Sequence, residues 1–388
     1  MKTTPLIASS RILALTAALA GQSLLGQALY NLGTFGGGSS YGYGINNSGQ
    51  VTGDSDGRAF LFSGGAGGSM IDLGTLGGSY AVGLALNSTG QVTGYSGTTG
   101  DARAHAFSWT GGVMSDVTPG ATGSFGYGIN DSGQVVGTRF TEGAVPQHAF
   151  VSTGGSETNL GTLGGTWSAG YDINNAGQAT GWARTVGDAQ AHAFVSTGGV
   201  MVDLGTLGGS FSNGWSINNA AQVTGYSRLA GDTRFHAFLS SGGVMSDLGT
   251  LGGNESWGYG INDSAQVVGY SFTADALQHG FLYSGGVMND LNTLYGSLLG
   301  DGVTAGFTEL SYAAAISDNG LITGYGTYFD GEISSTQAYV LDTRSSTSSV
   351  PETGATAGLM LLGLVSLAGF RQRVWRAAIS PVGADLGN

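Results

Sequence analysis

"HAFVSTGGVMVDLGTLGGSFSNGWSINNAAQVTGYSRLAGDTRFHAF", His192–Phe238, begins and ends on the same three letters. The triplet or a close variant recurs as Arg58-Ala59-Phe60, His105-Ala106-Phe107, His148-Ala149-Phe150, His192-Ala193-Phe194, His236-Ala237-Phe238, His279-Gly280-Phe281 and Gln337-Ala338-Tyr339. A second motif, of the type INNSGQV, is headed by Ile45, Leu86, Ile129, Ile173, Ile217, Ile261 and Ile316. A third, LGTLGG, starts at Leu32, Leu73, Leu160, Leu204 and Leu248, with degenerate copies at Val117 and Leu291. The middle copies lie 43 or 44 residues apart. Self-similarity at such a period means one supersecondary unit stacked on copies of itself.

Each unit offers four short strand candidates. Strand a is like GYGIN, b like QVVGYS, c like HAFLS and d like GVMSDLG. The Asn/Asp-rich stretch between a and b, and the Gly-Gly between c and d, suit tight turns with positive φ. Helix is disfavoured by the glycine load and by the lack of a sustained 3.6-residue period. An a–b–c–d meander at this period predicts an all-β fold, a seven-bladed β-propeller of ~44-residue four-stranded repeats.

The ends bear on closure. ALYNLGTFGG near the start reads as a d strand with no a, b or c before it, and QAYVLDT near the end as a c strand with no d after it. Pairing Leu29–Leu32 with Ala338–Leu341 would close the ring and leave no exposed inter-blade face to cap. A linear β-solenoid is the alternative; its coils are usually shorter. Three and one residues before each motif isoleucine stand small residues, such as Gly42 and Gly44 or Gly126 and Gly128. On a period-two strand they share one side, which would let neighbouring inner strands approach closely.

Composition narrows the function classes. The 388 residues include 74 glycines and no cysteine, with a net charge of −13. Disulfides, thiolate metal sites and cysteine nucleophiles are excluded. No basic face is available for phosphates, so nucleic acid is not an expected partner.

Both ends read as addresses. Residues 1–28 place Lys2 and Arg11 before the apolar run Ile12–Ala20, with small residues after it, the layout of a signal peptide. At the other end, a Ser/Thr-rich spacer (343–349) leads to Val350-Pro351-Glu352-Thr353-Gly354, an apolar run Ala355–Phe370 and the cations Arg371, Arg373 and Arg376. The run is slightly short of the ~20 residues that span a bilayer comfortably, and the cations would hold its end on the cytoplasmic side. A tail of residues 377–388 follows. Segment 350–376 resembles the PEP-CTERM bacterial sorting signals, in the variant that begins Val-Pro-Asp-Ser/Thr-Gly, with Glu352 where the variant has Asp. That resemblance implies a membrane helix and processing by an exosortase; Val-Pro-Glu-Thr-Gly also resembles the Leu-Pro-x-Thr-Gly signal of sortases. The repeat region (29–342) resembles the bacterial HAF-repeat family of probable extracellular proteins. Together the resemblances imply export to the cell surface, outer membrane or matrix of a Gram-negative-type bacterium. Because PEP-CTERM systems accompany exopolysaccharide production, extracellular polysaccharide is the expected partner.

Candidate site residues come from the repeat. The repeat histidines, His105, His148, His192, His236 and His279, each begin a c strand. One per blade, they stand too far apart to share an ion at the ~2 Å zinc–nitrogen distance. They are read as structural, hydrogen-bonding a backbone or threonine oxygen; no metal site is assigned to them. The NNSGQ-type turns offer oxygen donors of the kind calcium prefers, but such side chains more commonly bond their own backbone. No cofactor is otherwise expected. No Gly-x-Ser-x-Gly elbow, phosphate loop or His-Glu-x-x-His occurs, so no catalytic residue is assigned and a non-enzymatic structural or binding protein is expected. The alternatives are a secreted polysaccharide lyase or hydrolase and a calcium-stabilised adhesin. The b–c and d–a connections vary most in length and share one face of an up-and-down blade. Binding resides on such loops, which makes Trp167, Phe211, Trp257, Asp101, Asp188, Asp232 and Phe307 the expected ligand contacts.

Overall fold

A computed structural model describes Gln27–Arg344, apart from residue 66 and residues 141–146. Most of the signal segment, the spacer beyond residue 344, and the whole of the sorting motif, apolar run and tail lie outside the described residues.

Each repeat folds as an antiparallel a–b–c–d meander. In one, a is Gly164–Ile173, b Ala179–Thr185, c Ala191–Thr197 and d Val200–Asp203. In the next, a is Gly208–Ile217, b Val223–Leu229, c Phe235–Ser241 and d Val244–Asp247. The turns show why the sequence folds this way locally. Asn174 closes the a–b turn with its Oδ1, which accepts from the N–H groups of Ala176 and Gln178. Gly198 and Gly199 make the c–d turn at φ of 59° and 83°, which matches the twist of the flanking strands.

The molecule is a β-propeller, but not one of seven separate four-stranded sheets. Five sheets are four-stranded, and the strands from Gly164 to Asp247 form one eight-stranded sheet. The inner strand Gly208–Ile217 reaches outward far enough for Phe211 to pair in parallel with Ala191 of the preceding c strand, and this pair fuses two meanders. The first and last described strands meet. Ala28–Asn31 pairs antiparallel with Ser334–Asp342, Leu29 opposite Leu341 and Tyr30 opposite Val340. The Leu32 N–H then donates to the Ala338 carbonyl at 3.0 Å. The closed ring sets aside the solenoid alternative.

Apolar clusters lie between consecutive meanders. Ala59, Leu61 and Leu73 pack with Ala81, Leu86, Val92 and Phe107 of the following repeat, and Leu32, Val51, Phe60, Ala338 and Val340 fill the seam where the ends join. The Ala-Phe of each triplet serves these seams. Phe194 and Phe238 are fully buried, and the alanine N–H donates to a buried serine on the next inner strand. Ala193 reaches Ser212 at 2.8 Å, and Ala338 reaches Ser40 at 2.9 Å across the seam.

The inner strands carry a β-bulge where the sequence suggests regular alternation. Register slips between Gly170 and Asp172, and again between Gly214 and Ser216. The small positions therefore do not share one side. A Cβ on Gly126 would strike Thr93 of the preceding repeat, and one on Gly128 would strike Asp172 of the following one. The extra residue of each bulge, among them Tyr43, Tyr127, Tyr171, Trp215 and Tyr259, lines the central channel. Bulges re-aim side chains in this way.

Candidate functional site

The triplet histidines find a partner that the sequence reading missed. His105, His192, His236 and His279 each place Nδ1 2.7–2.9 Å from Asp116, Asp203, Asp247 and Asp290, at the end of the paired d strand. The sequence signal was an aspartate eleven residues after each of these histidines. The same carboxylates also cap the chain beyond, as Asp203 does for the Gly205 N–H at 2.7 Å. Arg58 takes the slot with Asp72 at 3.2 Å. His148 departs from the pattern. Asn159 stands where the aspartate would be, and Arg139 pairs with Glu157 at 2.9 Å beside it. The slot locks the outer hairpin and accepts several donors, as a structural clasp does.

One end of the channel is a hydrogen-bonded polar ring. Asn46 Nδ2 donates to the Asn87 carbonyl, Asn87 to Asn130, Asn130 to Asn174, Asn174 to Asn218 and Asn218 to Asn262, each at 3.0–3.1 Å. The asparagines of the turns thus tie each repeat to the next. Further in, Asp172 accepts from Ser216 Oγ at 2.7 Å and from the N–H groups of Ile173 and Ile217 at 2.8 and 3.0 Å. Loss of water in the channel wall pushes its carboxyl up, against these three donors.

Toward the loop side the channel widens into an aromatic cup of about 310 Å³, lined by Tyr43, Tyr95, Tyr127, Tyr171, Trp215, Tyr259 and Tyr312. Burial pushes these phenols up, Tyr171 to about 12. They stay neutral hydroxyls at physiological pH. The cup is not isolated. Trp215 meets Tyr259 at 5.1 Å, Tyr259 meets Tyr270 at 5.8 Å, Tyr270 stacks on Trp257 at 4.7 Å, and Trp257 leans on Phe235 at 6.1 Å. The run ends at a groove of about 560 Å³ walled by Phe211, Tyr226, Phe235 and Trp257, with Arg184 and Arg228 also in its lining.

The expected ligand contacts therefore divide. Phe211 and Trp257 line the groove. Trp167 is half-buried on its inner strand and does not line it. Phe307 is corrected: at 3% exposure it belongs to the core with Leu310 and Tyr339, because the long d–a segment folds its apolar residues inward. Asp101, Asp188 and Asp232 turn their carboxylates back onto the chain, accepting from the N–H groups of Ser79, Thr166 and Ser210 at 2.6–2.8 Å. Sequence reasoning passed over Tyr226, Phe235 and the two arginines; the available signal was Arg184 and Arg228 at one repeat position. Among the described residues, no group of three or more His, Asp or Glu side chains converges as metal ligands, and no helix is long and apolar enough to cross a membrane.

No family model and no curated protein matches the chain. Among solved structures it is similar to TolB from Acinetobacter baumannii, at 14% identity and a TM-score of 0.43 over 73% of this chain and 70% of that one. It is also similar to the β-propeller domain of the Trilobed protease from Pyrococcus furiosus, at 7% identity and a TM-score of 0.45, over 80% and 97%. A gluconolactonase from Xanthomonas campestris matches at 10% identity and a TM-score of 0.38, over 84% and 92%. These are likenesses of fold.

The loop aspartates are expected to contribute to acid sensitivity of the fold. Backbone N–H donors hold the carboxyls of Asp101, Asp188 and Asp232 below the ordinary value of 3.8. A carboxyl depressed in the folded state stabilises above its unfolded pKa, and that contribution is lost as pH falls through the folded value. The melting temperature is expected to drop on acidification below about pH 3.8. Asp188→Asn keeps an acceptor but cannot titrate, so thermal melts across this window should show a shallower pH slope. An identical slope would sink the assignment.

Proposed function

We propose that this propeller is an exported, non-enzymatic binding protein of a bacterial surface or extracellular matrix, and that it holds a glycan on the face bearing the b–c and d–a loops. The observation that supports this most directly is the unbroken run of aromatic rings from the groove at Phe211 and Trp257 to the cup around Tyr171 and Trp215. Flat apolar rings with polar tips suit a ligand whose faces are C–H and whose edges are hydroxyls. The groove's volume lies within the range of ordinary ligand sites. Its lining carries rings, arginines and short polar side chains but no carboxylate, which favours holding a sugar over cleaving one. Export and anchoring rest on the end segments, which resemble a signal peptide and a PEP-CTERM sorting tail, and on the HAF-like repeats.

Glycan-array binding by the purified exported protein, followed by calorimetry on the strongest ligands, tests the reading. Trp257→Ala and Phe211→Ala are expected to weaken binding at least about tenfold, since a buried anchor ring carries ~1.4 kcal/mol or more. Melting should confirm that both variants stay folded. Undiminished binding by folded variants, or no glycan bound at all, overturns the proposal.

A further inference from the structure

We propose that the groove between the b strands Ala179–Thr185 and Val223–Leu229 selects acidic sugars, with Arg184 and Arg228 taking the carboxylate of a uronic acid residue; the inference rests on the glycan-binding reading above. The first observation is charge. The chain has 25 acidic and 12 basic residues, yet this groove is lined by two arginines and no acid. The equivalent b-strand position, paired with the residue before the triplet, is Gly97, Phe140 or Phe272 in other repeats. Of the three consecutive repeats that line the groove, the first two bring arginine there.

The second observation is that both guanidinium groups are held but not spent. Arg184 Nη1 donates to the Asp188 carbonyl at 3.3 Å, and Arg228 Nη1 to the Asp232 carbonyl at 2.9 Å. Arg228 also lies over the Phe235 ring at 4.7 Å. Among the described residues neither is within ion-pair distance of a carboxylate, whereas Arg58 and Arg139 are. Asp188 and Asp232 lie close enough to feel the charge of Arg184 and Arg228, but their carboxylates are turned onto the N–H groups of Thr166 and Ser210, and Glu255 accepts from the Phe235 N–H at 3.4 Å; none of the three forms an ion pair with either arginine.

The geometry then fits one ligand chemistry. A planar guanidinium fork matches a carboxylate bidentately. The rings of Phe211, Phe235 and Trp257 lie in the same groove to receive the pyranose face that carries the carboxylate. Arg184 and Arg228 are therefore specificity-determining residues: the rings take sugars in general, and the arginines choose among them.

Calorimetry on the full exported chain would use four probes: a uronic-acid oligosaccharide, its methyl ester, a sulfated neutral oligosaccharide and the uncharged counterpart. The uronate is expected to bind at least tenfold tighter than its methyl ester, with an advantage that shrinks as salt rises. Arg184→Gln combined with Arg228→Gln should bring the uronate down to the affinity of its methyl ester, with thermal melting as the check that the variant stays folded. Lysine at both positions should restore part of it. Equal affinity for uronate and ester would overturn the arginine assignment and leave glycan binding standing. A preference for the sulfated sugar, or for a mononucleotide added as a fifth probe, would also overturn it. Failure of every sugar would remove the underlying reading instead.

Discussion

A chain lacking Leu29–Leu32 is expected to lose its sharp unfolding transition, or to melt more than about 10 °C below the parent. The four residues complete the sheet in which the first and last described strands meet, with Leu29 opposite Leu341 and Asn31 opposite Tyr339. Leu32 is 6% exposed and packs with Val51, Phe60 and Ala338. Burying a leucine contributes roughly 1.5–3 kcal/mol, and each strand hydrogen bond roughly 0.5–1.5 kcal/mol. Their combined loss is on the order of 5 kcal/mol or more, comparable to the whole stability of many domains, and at roughly 2–4 °C per kcal/mol it gives the shift stated. The deletion also bares one edge of Ser334–Asp342, and an unpaired edge recruits other chains. Light scattering should therefore rise with protein concentration in the truncated form. Parent-like melting would show that the end pairing does not hold the ring together.

Gly181→Ala and Gly225→Ala are expected to be nearly as damaging, at roughly 3 kcal/mol, the upper end of ordinary overpacking costs. These b-strand glycines face the inner-strand bulge. A Cβ on Gly181 would sit 1.9 Å from the Ala169 carbonyl oxygen, and one on Gly225 would sit 1.8 Å from that of Asn213. The obstacle is backbone, so relief requires the bulge itself to move, and with it Tyr171 or Trp215 in the aromatic cup. Denaturant titration should show a lowered midpoint, and near-ultraviolet circular dichroism an altered aromatic signal. Gly296→Ala, where a Cβ meets nothing within 4 Å, is the control and should be close to neutral. If the three variants unfold alike, the bulge is softer than this packing indicates.

The candidate face shows how far a repeat can be read. Phe211 and Trp257 were legible because large rings stood out at variable loop-side positions. Phe307 looked the same in sequence but is buried, since whether a long d–a segment stands out or folds in depends on the apolar surface it can cover. Asp101, Asp188 and Asp232 looked like contacts for a ligand. They serve the chain because each reaches an N–H twenty-two residues earlier. Arg184 and Arg228 carry no signal singly; their meaning comes from adjacent repeats that share one groove.

What the sequence by itself determined is local and periodic: four strands to a repeat, the turns between them, the all-β propeller class, and which strand each end lacks. Period-two patterning, turn chemistry and repetition are written along the chain and need no knowledge of neighbours. What the tertiary structure decided are relations between repeats. A single parallel pair, Ala191 with Phe211, joins two meanders into an eight-stranded sheet and leaves five four-stranded ones. The inner-strand bulge divides the small residues between the preceding and following repeats and turns the tyrosines and Trp215 into the channel. Four of the five histidines clasp aspartates across the hairpin in place of backbone oxygens. These outcomes turn on contacts of about 3 Å between segments whose separation the strand pattern does not encode, so small differences in packing select among arrangements that the repeat alone leaves equivalent.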